Sequence, residues 1–295
     1  MERVEIADQH ARGQMPLRYE DISQDGRPRV TALAVALGVI WRGVKLDEDV
    51  RQAMLDRGIL PILTRLKIEG FDGPFSIEHP FDVAGSFALA HAKGDRGAVE
   101  RLFLDMEAEM SAPLGRTNFP APPGAGTSVA VGTVFAEHVF TRPFAPPSER
   151  KILALPIRGT DFVPPRERAQ RAPRAVLEIG GDALALDDDY VIEAIPLVMG
   201  LTHTDSNQHV NSLVYPALFE EAALRHLARH GRSTSVLARS LEIAYRRPSF
   251  AGDTLRIALR LFTRGDAIEC RGGFLGPGDT SIDEARAFVR MSLRA

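Results

Sequence analysis

The chain has 295 residues, of which 44% are hydrophobic and 25% charged, the balance of a soluble globular protein with one large or two ordinary domains. A formal charge of -3 gives no general attraction to nucleic acid or anionic lipid, and no apolar run is long enough to cross a bilayer. Its one cysteine, Cys270, excludes an internal disulfide and any multi-cysteine metal site.

In chain order, the opening "MERVEIADQHARGQ" lacks the basic-then-apolar order of a secretory signal, so a cytoplasmic location is expected. "RVTALAVALGVIWRG" reads as a buried strand, and "LDEDVRQAMLDRG" as a helix opening at Asp47 with acidic residues in its first turn. Strand-like segments follow at "LPILTRLKIEG", "PFSIEHPFDVAGSFALAHA", "AVERLFLDMEAEM" and "TSVAVGTVFAEHVF". "SAPLGRTNFPAPPGAG" (111–126) reads as a loop, and the proline-punctuated stretch from Arg142 to Pro173 as a connector holding one short strand. A cut near Pro165 gives domains 1–165 and 166–295.

In the second half, "DYVIEAIPLVM" reads as a strand leading into a polar cluster, "LTHTDSNQHVNSLVY". A helix is expected from Pro216, with Leu218, Phe219, Ala222, Ala223 and Leu227 at helical spacing, a charged stripe of Glu221, Arg225 and Arg229, and a stop at Gly231. "SVLARSLEIAYRRP", "DTLRIALRLFTR", "AIECRGGFL" and "EARAFVRMSLR" read as strands, with Cys270 a buried structural thiol. One helix followed by antiparallel strands, seen twice, predicts an α+β protein built by an eroded internal duplication. The polar cluster occurs only in the second copy.

The cluster holds more polar groups than a helix cap requires. Attack on a carbonyl builds negative charge on its oxygen, which a helix start can stabilise with its free N–H groups and dipole. Asp205 could activate water or attack directly, with Asn207 and His209 orienting the water or holding the carboxylate, and Asn211 and Tyr215 fixing loop and helix. The inert alternative is a capping cluster. His226 and His230 stand at i, i+4 spacing, but no Glu lies between them in the metalloprotease pattern, so no metal is expected there. Lysine occurs only at Lys45, Lys67, Lys93 and Lys151. The other cations are arginines, which genome base composition explains and which also grip phosphate in pairs of hydrogen bonds.

"TDSNQHVNSLVY" followed by "SLEIAYRRPSFAGD" resembles the hotdog-fold thioesterases, and among them the double-hotdog acyl-acyl-carrier-protein (acyl-ACP) thioesterases. The resemblance in the first half is one of layout. It implies two antiparallel sheets, each wrapped around a long helix and joined into one continuous sheet. It also implies hydrolysis of an acyl-ACP or acyl-CoA thioester, with Asp205, Asn207 and His209 catalytic and Asn211, Tyr215, Arg246, Arg247 and Ser249 binding substrate. No metal, redox cofactor, nucleic acid or membrane partner is implied, and the chain would be a monomer or homodimer. The plant-type members place Glu and then Cys directly after Tyr-Arg-Arg, whereas here Pro248 and Ser249 follow Tyr245, Arg246 and Arg247. Single-hotdog acyl-CoA thioesterases manage with one carboxylate at the helix start, so hydrolysis stays feasible. The alternatives are a hotdog hydratase or dehydratase, against which "DSNQH" lacks the proline of the Asp-x-Asn-Pro-x-His loop, and a non-catalytic acyl-binding protein.

Overall fold

A computed structural model of the chain describes residues 9–43, 48–118, 120–157 and 159–295. Two compact units emerge. The first comprises Met1–Arg27, Ala34–Thr64 and Asp72–Arg171; the second comprises Pro28–Leu33, Arg65–Phe71 and Ala172–Ala295. No described helix is long and apolar enough to cross a membrane.

Up to residue 171 the elements are β1 (Gln9–Met15), α1 (Val30–Leu33), α2 (Leu37–Gly43), α3 (Glu48–Asp56), β2 (Leu60–Gly70), β3 (Phe81–Lys93), β4 (Val99–Pro113), β5 (Ser128–Thr141), β6 (Leu155–Ile157) and β7 (Thr160–Phe162). The first unit's sheet runs β1-β3-β4-β5, with Leu60–Thr64 of β2 beside β5. The pairs β1–β3, β3–β4 and β4–β5 are antiparallel. Helix α2 lies against β1, β3 and β4. Gly85 makes that contact possible, because a Cβ there would lie 2.4 Å from Ile40 Cδ1 and 2.2 Å from the Glu107 carbonyl oxygen.

Three expectations change here. The segment 30–43, read as a strand, is helical: α1, a 3-10 turn over Ala34–Ala36, and α2. Its unbroken apolar run erased the periodicity that separates a buried helix from a buried strand. Helix α3 forms where a helix was expected, although the proposed start at Asp47 lies outside the described residues. It packs on β6, so α2 is the helix that the sheet covers. The connector holds a two-stranded hairpin, β6–β7, in place of one strand, and β4 runs on through Ser111–Pro113, the start of the expected loop.

The other face of this sheet buries charge. Asp105 and Glu137 are register partners on β4 and β5, and both are buried. Arg168 bridges them, at 3.1 Å from Asp105 Oδ2 and 2.6 Å from Glu137 Oε2, with its guanidinium 3.7 Å over the Phe103 ring. Thr64 donates to Glu137 Oε1 at 2.7 Å. Burial raises the Asp105 carboxyl to about 6 although Arg168 opposes it.

The second unit contains β8 (Leu184–Ala185), β9 (Val191–Ile192), β10 (Leu197–Val198), α4 (Val214–Arg229), β11 (Leu237–Tyr245), β12 (Thr254–Arg264), β13 (Ala267–Leu275) and β14 (Ala287–Arg294). Residues Arg65–Glu69 of β2 pair antiparallel with β11, and the order continues β11-β14-β13-β12. The three short strands all pair with β12. Strand β2 thus serves both units, its first residues in one and its last in the other.

Helix α4 lies across β11 to β14 and buries Phe219, Ala222, Ala223 and Leu227 completely. Together with Leu218, which is half-buried, these are the residues whose 3.6-residue spacing marks the helix in the sequence. Beneath it Gly272 repeats the device of Gly85: a Cβ there would meet Phe219 Cε2 at 2.8 Å and the Ala258 carbonyl at 2.1 Å. On the opposite face, Val176 and Leu177 close over Ala244, Ala258, Leu275 and Phe288. Cys270 is fully buried and unpaired, and burial drives its pKa upward, as a structural thiol requires.

Candidate active site

The polar cluster forms a tight loop between β10 and α4. A 3-10 turn over Leu201–His203 begins it, and an isolated antiparallel bridge between Thr204 and Val210 closes its neck. Within the neck the Asp205 N–H donates to the His209 carbonyl at 3.2 Å and the Gln208 N–H to the Asp205 carbonyl at 3.0 Å. Gln208 takes a φ of 65°, a left-handed conformation that non-glycine residues adopt rarely.

Asp205 is the hub. Its Oδ1 accepts the Asn207 N–H at 2.9 Å and its Oδ2 accepts the Asn211 side-chain amide at 3.2 Å. Asn211 in turn accepts the Leu213 N–H through its Oδ1 at 2.9 Å, and its carbonyl accepts the Val214 N–H at 3.1 Å. Asn211 therefore closes the turn just before α4 and also holds the Asp205 carboxylate, six residues earlier. His209 Nδ1 lies 3.3 Å from the Val210 carbonyl. With Nδ1 donating there, Nε2 is the ring nitrogen left to meet a ligand. Asn207 is exposed and His209 half-buried, so both can meet a ligand.

A buried layer backs the loop. The Ser249 carbonyl accepts the Val210 N–H at 2.7 Å, and Ser249 itself is fully buried. The Tyr215 hydroxyl hydrogen-bonds Ser249, while burial raises the Tyr215 pKa and keeps the phenol neutral. Tyr215 packs edge-on against Phe274 at 5.0 Å and Tyr245 at 5.8 Å. The Tyr245 hydroxyl donates to the Ser212 carbonyl at 2.8 Å, pinning the last residues before the helix.

Asp205, Asn207, His209 and Asn211 thus share one loop, and Tyr215 and Ser249 stand directly behind it. Arg246 and Arg247 have other engagements. Strand β11 ends at Tyr245, so the two arginines do not alternate across the sheet as a continuing strand would make them; both are exposed. Arg246 donates to the carbonyls of Asp283 and Ala285 at 2.8 and 2.7 Å, and Arg247 to that of Glu284. Arg286 went unnoticed in the sequence. It pairs with Asp253 and reaches the Ser249 hydroxyl at 3.4 Å and the Pro248 carbonyl at 3.3 Å. Only the meeting of two distant turns brings it there, so no local pattern marks it.

The family model of the Thioesterase superfamily matches residues 207–268, the stretch from the polar loop through α4 and β11 into β13. No curated protein matches the sequence. Among solved structures, an oleoyl thioesterase from Lactobacillus plantarum is similar, at 14% identity and a TM-score of 0.61, over 98% of each chain. An acyl-ACP thioesterase from Bacteroides thetaiotaomicron follows at 15% identity and a TM-score of 0.57, over 97% of this chain and 98% of the other. A 12:0-ACP thioesterase from Umbellularia californica gives 14% and 0.57 over 97% of each chain. The chain has the double-hotdog fold, and its residues 207–268 match the family model of the Thioesterase superfamily.

Proposed function

We propose that this protein hydrolyses an acyl thioester, presented on an acyl carrier protein or on CoA, to the free acid and the thiol. The observation that carries this reading is the Asp205 carboxylate, held from both oxygens in the loop that leads into α4, two residues before the segment that matches the Thioesterase superfamily model.

Each Asp205 oxygen receives one hydrogen bond and keeps acceptor capacity for a water. In the proposed reaction that water adds to the thioester carbonyl carbon while Asp205 takes its proton. Negative charge collects on the carbonyl oxygen, near the positive end of the α4 dipole. Collapse of the adduct breaks the C–S bond, and the sulfur leaves as the thiol with the proton Asp205 accepted. His209, through its Nε2, and the exposed Asn207 amide orient the water and the carbonyl. Asn211, Tyr215 and Ser249 position the loop. The second unit is the catalytic one in this reading, and the first carries no such loop in its sequence.

Thiol release from a panel of acyl-ACP and acyl-CoA substrates tests the proposal. Saturable release, with the same acyl groups preferred on repeated preparations, is expected. Binding without release, or hydration of an enoyl thioester in its place, would overturn it.

A further inference from the structure

Helix α4 starts at the polar loop and ends, about 24 Å away along its axis, at a second group of polar side chains. His226 stands in its last turn and His230 just past its end. Their Nε2 atoms lie 2.9 and 2.8 Å from one and the same oxygen, Asp187 Oδ1, and the three atoms fall within 4.8 Å of one another. The sequence showed the two histidines one turn apart but not the carboxylate, which arrives from the turn between β8 and β9.

We propose that Asp187, His226 and His230 form a binding site for a divalent transition-metal ion, zinc first among them.

Two imidazoles and one carboxylate are the donor set zinc takes, and three protein ligands leave the fourth tetrahedral position for water. Bonds of about 2.0–2.1 Å in a tetrahedron set ligand atoms roughly 3.3 Å apart; the two nitrogen–oxygen spacings of 2.9 and 2.8 Å need a few tenths of an ångström of opening, and the two nitrogens lie within 4.8 Å of one another. Supporting contacts already aim the ligands. The second carboxylate oxygen, Oδ2, accepts the Leu261 N–H at 2.7 Å, and the Asp187 carbonyl accepts Arg260 Nε at 3.0 Å. Asp187 and His226 are buried, whereas the His230 side chain is 31% exposed and leaves a path for the ion. The exposed Asp188 and Asp189 adjoin it and add negative potential.

The site is remote from Asp205, so its role is to tie the end of α4 to the β8–β9 turn and to β12. An ion that binds the folded chain alone raises stability by mass action.

The test uses full-length protein stripped with a chelator and titrated with zinc chloride by calorimetry, and separately with cobalt(II) by visible absorption. One ion per chain is expected, with a tetrahedral cobalt spectrum and a zinc-dependent rise in the unfolding midpoint. His230→Ala, at a partly exposed position, should fold and lose about 100-fold or more in zinc affinity together with the midpoint rise. Asp187→Asn should behave alike. Absence of saturable binding, or binding unchanged in His230→Ala, would overturn the proposal and leave two histidines hydrogen-bonded to an aspartate. Neither readout depends on thioester turnover.

Discussion

Acidification from pH 6.5 to 4 sets two buried groups of the first unit against each other. His138 is buried edge-on to Trp41, with ring centroids 5.5 Å apart, and burial pushes its pKa down to about 4 although the Leu104 carbonyl and Glu137 pull the other way. In the unfolded chain an imidazole titrates near about 6.5, so the folded state favours the neutral ring. That contribution to stability is complete above about pH 6.5 and is lost as pH falls through about 4, a change of about 3 kcal/mol at about 1.4 kcal/mol per pH unit. Asp105 has the opposite sign. Its pKa of about 6, against roughly 3.9 unfolded, gives stability that is complete below about pH 3.9 and lost as pH rises through about 6, again about 3 kcal/mol. The two offset one another in the parent, and single substitutions separate them. Relative to parent, His138→Phe should gain about 3 kcal/mol on going from pH 6.5 to 4, and Asp105→Asn should lose about as much. Urea unfolding followed by the fluorescence of Trp41, the only tryptophan and a residue of the same unit, measures both differences. Differences that stay flat across this range would refute the assignment of these protonation states.

Other outcomes follow from the packing and the loop. Gly272→Ala should destabilise the second unit by about 2–3 kcal/mol, because its Cβ meets backbone at 2.1 Å and Phe219 at 2.8 Å; a denaturation midpoint equal to the parent's would contradict the close approach of α4. Tyr215→Phe removes the hydroxyl that hydrogen-bonds Ser249 and should lower turnover about fivefold while binding is nearly retained, and an equal change in KM alone would argue against a positioning role. Arg247→Glu should raise KM for an acidic carrier substrate with turnover at saturation near normal, and the effect should fade as salt is added; identical kinetics across a salt series would remove Arg247 from substrate capture.

The sequence was most legible where periodicity and local polarity coincide. Phe219, Ala222, Ala223 and Leu227 marked α4 by spacing alone, and the strands β11 to β14 alternate enough to be read singly. The hub at Asp205 was legible because its partners, Asn207 and Asn211, lie within six residues of it. The segment 30–43 reads as a strand because its buried residues, Val39 and Ile40 among them, sit in a run with no polar stripe to reveal the helical period. Arg286, the backing of Ser249 and the convergence of Asp187 on two histidines depend on contacts 33 to 43 residues apart in sequence. No local pattern encodes such contacts.

Turnover of Asp205→Asn on the best acyl thioester found for the parent tests the central claim most directly. Asparagine preserves the size of the side chain and can accept one of the two hydrogen bonds, but it cannot take a proton from water. The account predicts a folded protein whose turnover falls by about two powers of ten or more. Near-normal turnover with asparagine at position 205 would contradict it.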